Sequence, residues 1–179
     1  MALRSFVTGA TATPTADAGD TATVRRIVGQ LEAMPRDTAR YLAAFAYILT
    51  RAAAADLQIS EVEEQVIERL VIEHGGLTEP QAVLVAEMAR SQSLLYGGTE
   101  DYLVTRQFKE LSTDDQRLDL LRCCYLVGAA DEVITVEESD TLQEIAKELD
   151  VDRAAVNAIR HEFEPKLAAI QALLRFRAG

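Results

Sequence analysis

Ala129 to Glu138 reads "AADEVITVEE", and Ala54 to Glu64 reads "AADLQISEVEE". Nearly one phrase, A-A-D-x-x-I-[ST]-x-x-E, occurs twice, with Asp131 following Asp56 by 75 residues. At that fixed offset Ala54 falls on Ala129, Ala55 on Ala130, Ile59 on Ile134, Ser60 on Thr135 and Glu63 on Glu138. The flanks agree in character: Phe45 falls on Leu120, Ile48 on Cys123, Ile67 on Leu142 and Leu70 on Ile145. Each phrase closes one apolar run of helical period and opens another, so each marks a joint between two helices. The pattern predicts two related helical hairpins packed on each other, with halves at residues 38–95 and 113–164. Two copies are too few for an open solenoid.

The same helical period runs from Ala22 almost to the end, with few strand-like alternations. The expected fold is all-α, a compact bundle of about seven to eight helices in one domain over residues 22–179. A first helix is expected over Ala22–Met34, and "MPRDT" interrupts it before Asp37 or Thr38 caps a second that runs to Asp56. Ser60 opens a third, with Val62, Val66, Ile67, Leu70 and Val71 as its buried stripe and "HGG" at 74–76 as its stop. Thr78-Glu79-Pro80-Gln81 starts a fourth that carries Leu84, Val85 and Met88. A shorter helix spans Asp101–Leu111, and a cap within Ser112–Asp115 begins a long one ending at Asp131. Thr135 opens another, striped by Leu142, Ile145 and Leu149, and residues 152–177 supply one or two more around Pro165. Residues 1–21 are Ala/Thr-rich with little to bury, the composition of a disordered tail.

With 179 residues, 49% of them hydrophobic, and a mean hydropathy of +0.01, the chain has enough apolar surface for a packed core. No run is long enough to span a bilayer, and the N-terminus lacks the apolar stretch of a secretory signal. Cys123 and Cys124 are adjacent, which fits neither a disulfide framework nor a CxxC motif, and a reducing cytoplasm is the expected compartment. A formal charge of −11 and a pI near 4.6 argue against a nucleic-acid binder, which needs lysine and arginine to neutralise phosphates. Cations, or a protein partner with a basic or membrane-associated surface, suit this charge better. Residues 151–179 run against the trend, with five basic residues to three acidic. The closing "IQALLRFRAG", with Ile170, Leu173, Leu174 and Phe176, is expected to dock on the core, with a second subunit of a homodimer as the alternative.

The repeated phrase admits two readings. Ser60 with Glu63, and Thr135 with Glu138, each have the spacing of a capping box, in which hydroxyl and carboxylate satisfy unpaired N–H groups at a helix start. Asp56 and Asp131 each follow a long helix, near its partly negative end, where a carboxylate is mildly unfavourable. An acidic residue there and another seven positions later can be folded toward each other, and carboxylates are the hard oxygen ligands that calcium, magnesium or manganese take. Two such joints could converge and share one divalent cation, with Asp56, Glu63, Asp131 and Glu138 as its ligands. The spacing is not that of an EF-hand.

Little supports an enzyme. His74 and His161 are the two histidines, and His74 reads as a helix-end residue complementing the dipole. Cys123 and Cys124 read as core residues, with a thiol-dependent activity as the competing reading. Gly75-Gly76 and Gly97-Gly98 lack the context of a phosphate-binding loop.

The doubled "AAD…I[ST]xxE", the loop "HGGLTEPQA" and the segment from "LLYGGTEDYL" to "EIAKELDV" together resemble the TerB-like family, over residues 38–163. That family includes the tellurite-resistance TerB proteins and the N-terminal domain of the DjlA co-chaperones. The resemblance implies a compact all-helical domain with an internal duplication and a divalent-metal site whose acidic positions correspond to Asp56, Glu63, Asp131 and Glu138. It also implies a setting in tellurite or envelope stress, and no reaction. The family phrase usually carries glycine after the aspartate, where this chain has Leu57 and Glu132. Because a side chain there disfavours positive φ, a tighter or differently shaped loop is expected.

Overall fold

The structure is a computed structural model that describes residues 22–56 and 58–178, without the side chains at 22–24, 28, 56 and 178. The tail at 1–21, Leu57 and the side chain of Asp56 therefore lie outside the described residues. The described chain is nine α-helices: α1 (Ala22–Glu32), α2 (Arg36–Ala53), α3 (Glu61–Gly75), α4 (Glu79–Tyr96), α5 (Asp101–Leu111), α6 (Asp114–Gly128), α7 (Val136–Glu148), α8 (Arg153–Glu162) and α9 (Ala168–Ala178). Short 3-10 turns stand at Ala54–Asp56 and Glu164–Lys166.

Two helices form the centre because their C-terminal halves are apolar on nearly every side. From Ala44 to Ala53 every residue of α2 is buried, and the small side chains of Ala46, Ala52 and Ala53 let neighbouring helices come close. Helix α2 touches α3, α4, α5, α6 and α7. Helix α6 buries Leu120, Leu121, Cys123, Cys124, Tyr125 and Val127. Each large aliphatic or aromatic side chain so removed from water contributes about 1.5–3 kcal/mol. The flank pairs predicted from the 75-residue offset, Phe45 and Leu120, Ile48 and Cys123, Ile67 and Leu142, Leu70 and Ile145, are all buried.

Local chemistry sets the ends. Gly76 closes α3 in the left-handed conformation at φ 60°. Gly75 is small for another reason: a Cβ there would lie 2.7 Å from Leu42 Cδ2. Ser60, Thr78, Thr113 and Thr135 all head capping boxes, the first two and the last where the sequence placed them and the third inside the predicted cap region. Pro35 rather than Asp37 or Thr38 precedes α2, and it makes no side-chain cap. Helix α6 stops at Gly128, three residues short of the expected Asp131.

Five residues expected to pack are exposed. Val62 and Met88 lie on the outer sides of α3 and α4, while Glu63, next to Val62, is the residue that α3 turns inward. In α9 only Ile170 packs against the core, while Leu173, Leu174 and Phe176 face outward. The C-terminal segment is instead fastened at its start. Ile134 N–H donates to Lys166 O at 2.8 Å and Ala168 N–H donates to Ile134 O at 2.9 Å, an isolated parallel bridge that clips the second acidic joint.

Candidate functional site

The two acidic joints meet in space. The first runs from α2 through the 3-10 turn to Ser60, and the second from α6 through residues 129–135 to Thr135. At the first, Oε2 of Glu63 accepts from the Ser60 N–H at 2.7 Å and its hydroxyl at 2.8 Å, while Ser60 Oγ accepts from the Glu63 N–H at 3.3 Å. At the second, Oε2 of Glu138 accepts from the Thr135 N–H at 2.8 Å and its hydroxyl at 3.0 Å, and Thr135 Oγ1 accepts from the Glu138 N–H at 3.2 Å. The capping geometry pulls both carboxylates inward, to 4% exposure each.

There the Glu63 and Glu138 carboxyls lie close enough to act on each other. Burial, first, and the charge of Asp131 push the Glu63 carboxyl above its ordinary value, against the opposing pull of Ser60 and Glu138. Gly128 lies against the pair, where a Cβ would stand 3.6 Å from Oε1 of Glu138, an ordinary contact distance.

Asp131 is exposed in the turn beyond α6, where its Oδ1 accepts from the Val133 N–H at 3.3 Å. It acts on Glu63 through its charge. Of the four expected ligands the fold thus brings Glu63 and Glu138 into contact and Asp131 within electrostatic reach, and the side chain of Asp56 lies outside the described residues.

The expectation that Glu132 would avoid positive φ is corrected. Glu132 adopts φ 80°, the conformation glycine would take there. Its surroundings hold it: the N–H donates to Ala129 O at 3.1 Å, the carbonyl accepts from Gln171 at 3.2 Å, and the carboxylate pairs with Lys166. A contact from the C-terminal segment, distant in sequence, compensates for the strain.

Helix α2 also carries a buried cation that the motif reading missed. Arg51, on α2 and 8% exposed, donates to both oxygens of Glu148 at 2.6 and 3.2 Å, to Glu144 at 3.1 Å and to Thr105 at 3.2 Å, with Asp101 at 3.6 Å. Asp101 also accepts from the Tyr47 hydroxyl at 2.9 Å, and this bond, after burial, raises the Tyr47 phenol. The signal was present in "AYILTRAAAA": a lone charge in an apolar run must find partners if the run is buried. The network ties α2 to α5 and α7.

A second cluster, away from the acidic joint, joins α3 to α6. His74 Nδ1 lies 3.1 Å from Asp119 Oδ2, and His74 Nε2 lies 3.4 Å from Cys123 Sγ. The His74 ring packs on Phe45 with centroids 5.0 Å apart. Desolvation, with the charges of Asp119 and Glu73, pushes the Cys123 thiol up to about 12. Burial likewise holds Cys124 well above the usual thiol range. Both cysteines are buried, as the core reading expected, but His74 has specific side-chain partners beyond the helix dipole. His161, by contrast, pairs with Glu164 of the 3-10 turn that follows its helix, at 2.8 Å.

An apolar groove of about 420 Å³ opens between α1, α2, α4 and α5, lined by Leu31, Met34, Leu42, Val85, Met88 and Val104 among others. Among the described residues no helix is long and apolar enough to cross a membrane.

Compared with known proteins, residues 41–161 match the family model described as "Tellurite resistance protein TerB". The match spans about two thirds of the chain, and the chain belongs to the TerB family. No curated protein and no solved structure matches it.

Proposed function

We propose that this TerB-family chain is a non-enzymatic, tellurite-resistance-related module that binds a hard divalent cation, calcium, magnesium or manganese, at its paired acidic joints. The observation that carries the reading is the contact between Glu63 and Glu138, two buried carboxyls delivered by separate helix starts. A bound divalent ion would offset the negative charge that Glu63, Glu138 and the adjacent Asp131 bring together.

The donor set fits such an ion. It consists of carboxylate oxygens, which hard cations prefer, and each glutamate is already oriented by two hydrogen bonds from its own cap. Glu63 and Glu138 would hold the ion from the helix starts, with Asp131 and Asp56 approaching from the turns. Repeating the phrase at both joints gives two half-sites, consistent with a duplicated origin of the hairpins. The rest of the bundle would serve to keep the halves in register, and the groove between α1, α2, α4 and α5 favours a protein partner as the module's output.

The deciding experiment is a thermal melt of chelator-stripped protein against calcium, magnesium and manganese, with Glu63→Gln/Glu138→Gln alongside. A cation at a hundred times its Kd adds about 2.7 kcal/mol to stability. A selective shift that the double variant loses supports the reading. No selective shift would leave the pair as capping chemistry alone, and the module as a metal-free interaction domain.

A further inference from the structure

We propose that His74, Asp119 and Cys123 form a second metal site, of different chemistry, that takes a borderline-soft divalent ion such as zinc or cobalt. Its ligands are the Cys123 sulfur, an imidazole nitrogen of His74 and a carboxylate oxygen of Asp119. None of these belongs to the acidic pair, so the two sites stand or fall separately.

The geometry separates a coordination cluster from a catalytic relay. In a relay threaded through the imidazole, carboxylate and sulfur sit on opposite sides of the ring, on the order of 8 Å apart. Here one ligand atom from each of the three residues lies within 4.8 Å of the other two. The donors converge on a point rather than stringing out along a line. A histidine nitrogen and a thiolate bound to one tetrahedral zinc are separated by roughly 3.5 Å, given the usual bond lengths. The Nε2 to Sγ distance of 3.4 Å is close to that spacing. Asp119 Oδ2 stands 3.1 Å from the other ring nitrogen, Nδ1, so its carboxylate turns to join the same ion.

Secondary structure supplies the rest. Asp119 and Cys123 are four residues apart on α6 and so share one face of the helix, and His74 approaches from the last turn of α3 with its ring seated on Phe45. The sulfur is buried, whereas the Asp119 side chain is 49% exposed and that of His74 24%. An ion can therefore enter from the Asp119 side and keep water as its remaining ligand, the open form of a zinc site. A nitrogen, sulfur and oxygen donor set favours zinc over calcium or magnesium. On binding, the metal–sulfur bond replaces the thiol S–H and the proton leaves to solvent.

The test is a cobalt titration of the reduced, chelator-stripped, tag-free full chain. The expected result is one ion per chain with a near-ultraviolet thiolate-to-cobalt absorption band, discharged by zinc. Cys123→Ser abolishes the band and Cys124→Ser keeps it. Glu63→Gln/Glu138→Gln also keeps it, which distinguishes this site from the oxygen site above. Asp119→Asn and His74→Gln, which retain the fold if Cys123→Ser does not, bind cobalt at least about tenfold more weakly. A folded chain with no such band, a band that survives Cys123→Ser, or unchanged affinity in both Asp119→Asn and His74→Gln overturns the proposal.

Discussion

Glu63 and Glu138, 75 residues apart and each the third residue of its own helix, meet as a buried pair of carboxyls. Each is held by a capping box, so the interaction that begins the helix also aims the carboxylate inward.

The pair makes the metal-free protein pH-sensitive with a definite sign. Glu63 has a folded-state pKa raised above its ordinary 4.5, so the fold binds its proton more tightly than the unfolded chain does. Its contribution is fully present below 4.5 and is lost as pH rises through the raised folded value. Chelator-treated protein is therefore expected to lose this increment of stability above about pH 4.5. In Glu63→Gln, whose amide oxygen can still accept the cap hydrogen bonds, that part of the pH profile flattens. Melts across a pH series read it directly.

Removing Arg51 is expected to be severe. Truncation to Ala leaves Glu148 and Asp101, both largely shielded from water, without their cation, and breaking a buried ion pair costs about 3–5 kcal/mol. Arg51→Lys keeps the charge but lacks the fork that reaches both oxygens of Glu148, and falls between wild type and Ala. Urea unfolding midpoints give the order.

Glu132→Gly is expected to be neutral to stabilising. It removes a left-handed backbone penalty of about 1–2 kcal/mol and gives up a largely exposed pairing with Lys166 worth about 0–1 kcal/mol. Glu132→Val loses the same pairing and worsens the backbone, so its midpoint falls below wild type. A valine variant as stable as the glycine one would contradict the assigned conformation.

The adjacent glycines that close α3 should fail differently. Gly76→Ala, in open space at φ 60°, costs about 1 kcal/mol from backbone conformation alone, and Gly76→Asn less. Gly75→Ala instead drives a methyl toward Leu42, so trimming Leu42 to Val relieves part of its cost and none of that at Gly76. A double-mutant cycle separates them.

Both thiols are expected to resist alkylation in the native, metal-free chain and to label quickly in denaturant. Cys123 and Cys124 are 3% and 0% exposed, and desolvation keeps both protonated at neutral pH. Rapid native labelling would revive a thiol activity.

The helices themselves were legible because their signals are local. Ser60 with Glu63 and Thr135 with Glu138 are three residues apart, and the apolar period of "YLAAFAYILT" marks a buried helix before any partner is known. Positions such as Val62 and Met88 were misplaced because a period says that a face is apolar without saying how wide the face is that neighbours cover.

The sequence by itself determined an all-helical chain, its capping boxes, the left-handed stop at Gly76 and the doubled acidic phrase, all set by residues within about one helical turn of each other. Only the tertiary structure decided that Glu63 faces Glu138, that Arg51 finds Glu148 across 97 residues, that Lys166 supports Glu132, and that His74 meets Asp119 and Cys123. Those pairings depend on how separate helices pack around α2 and α6, and the burial that creates them is what turns a solvated charge into one that must find a partner.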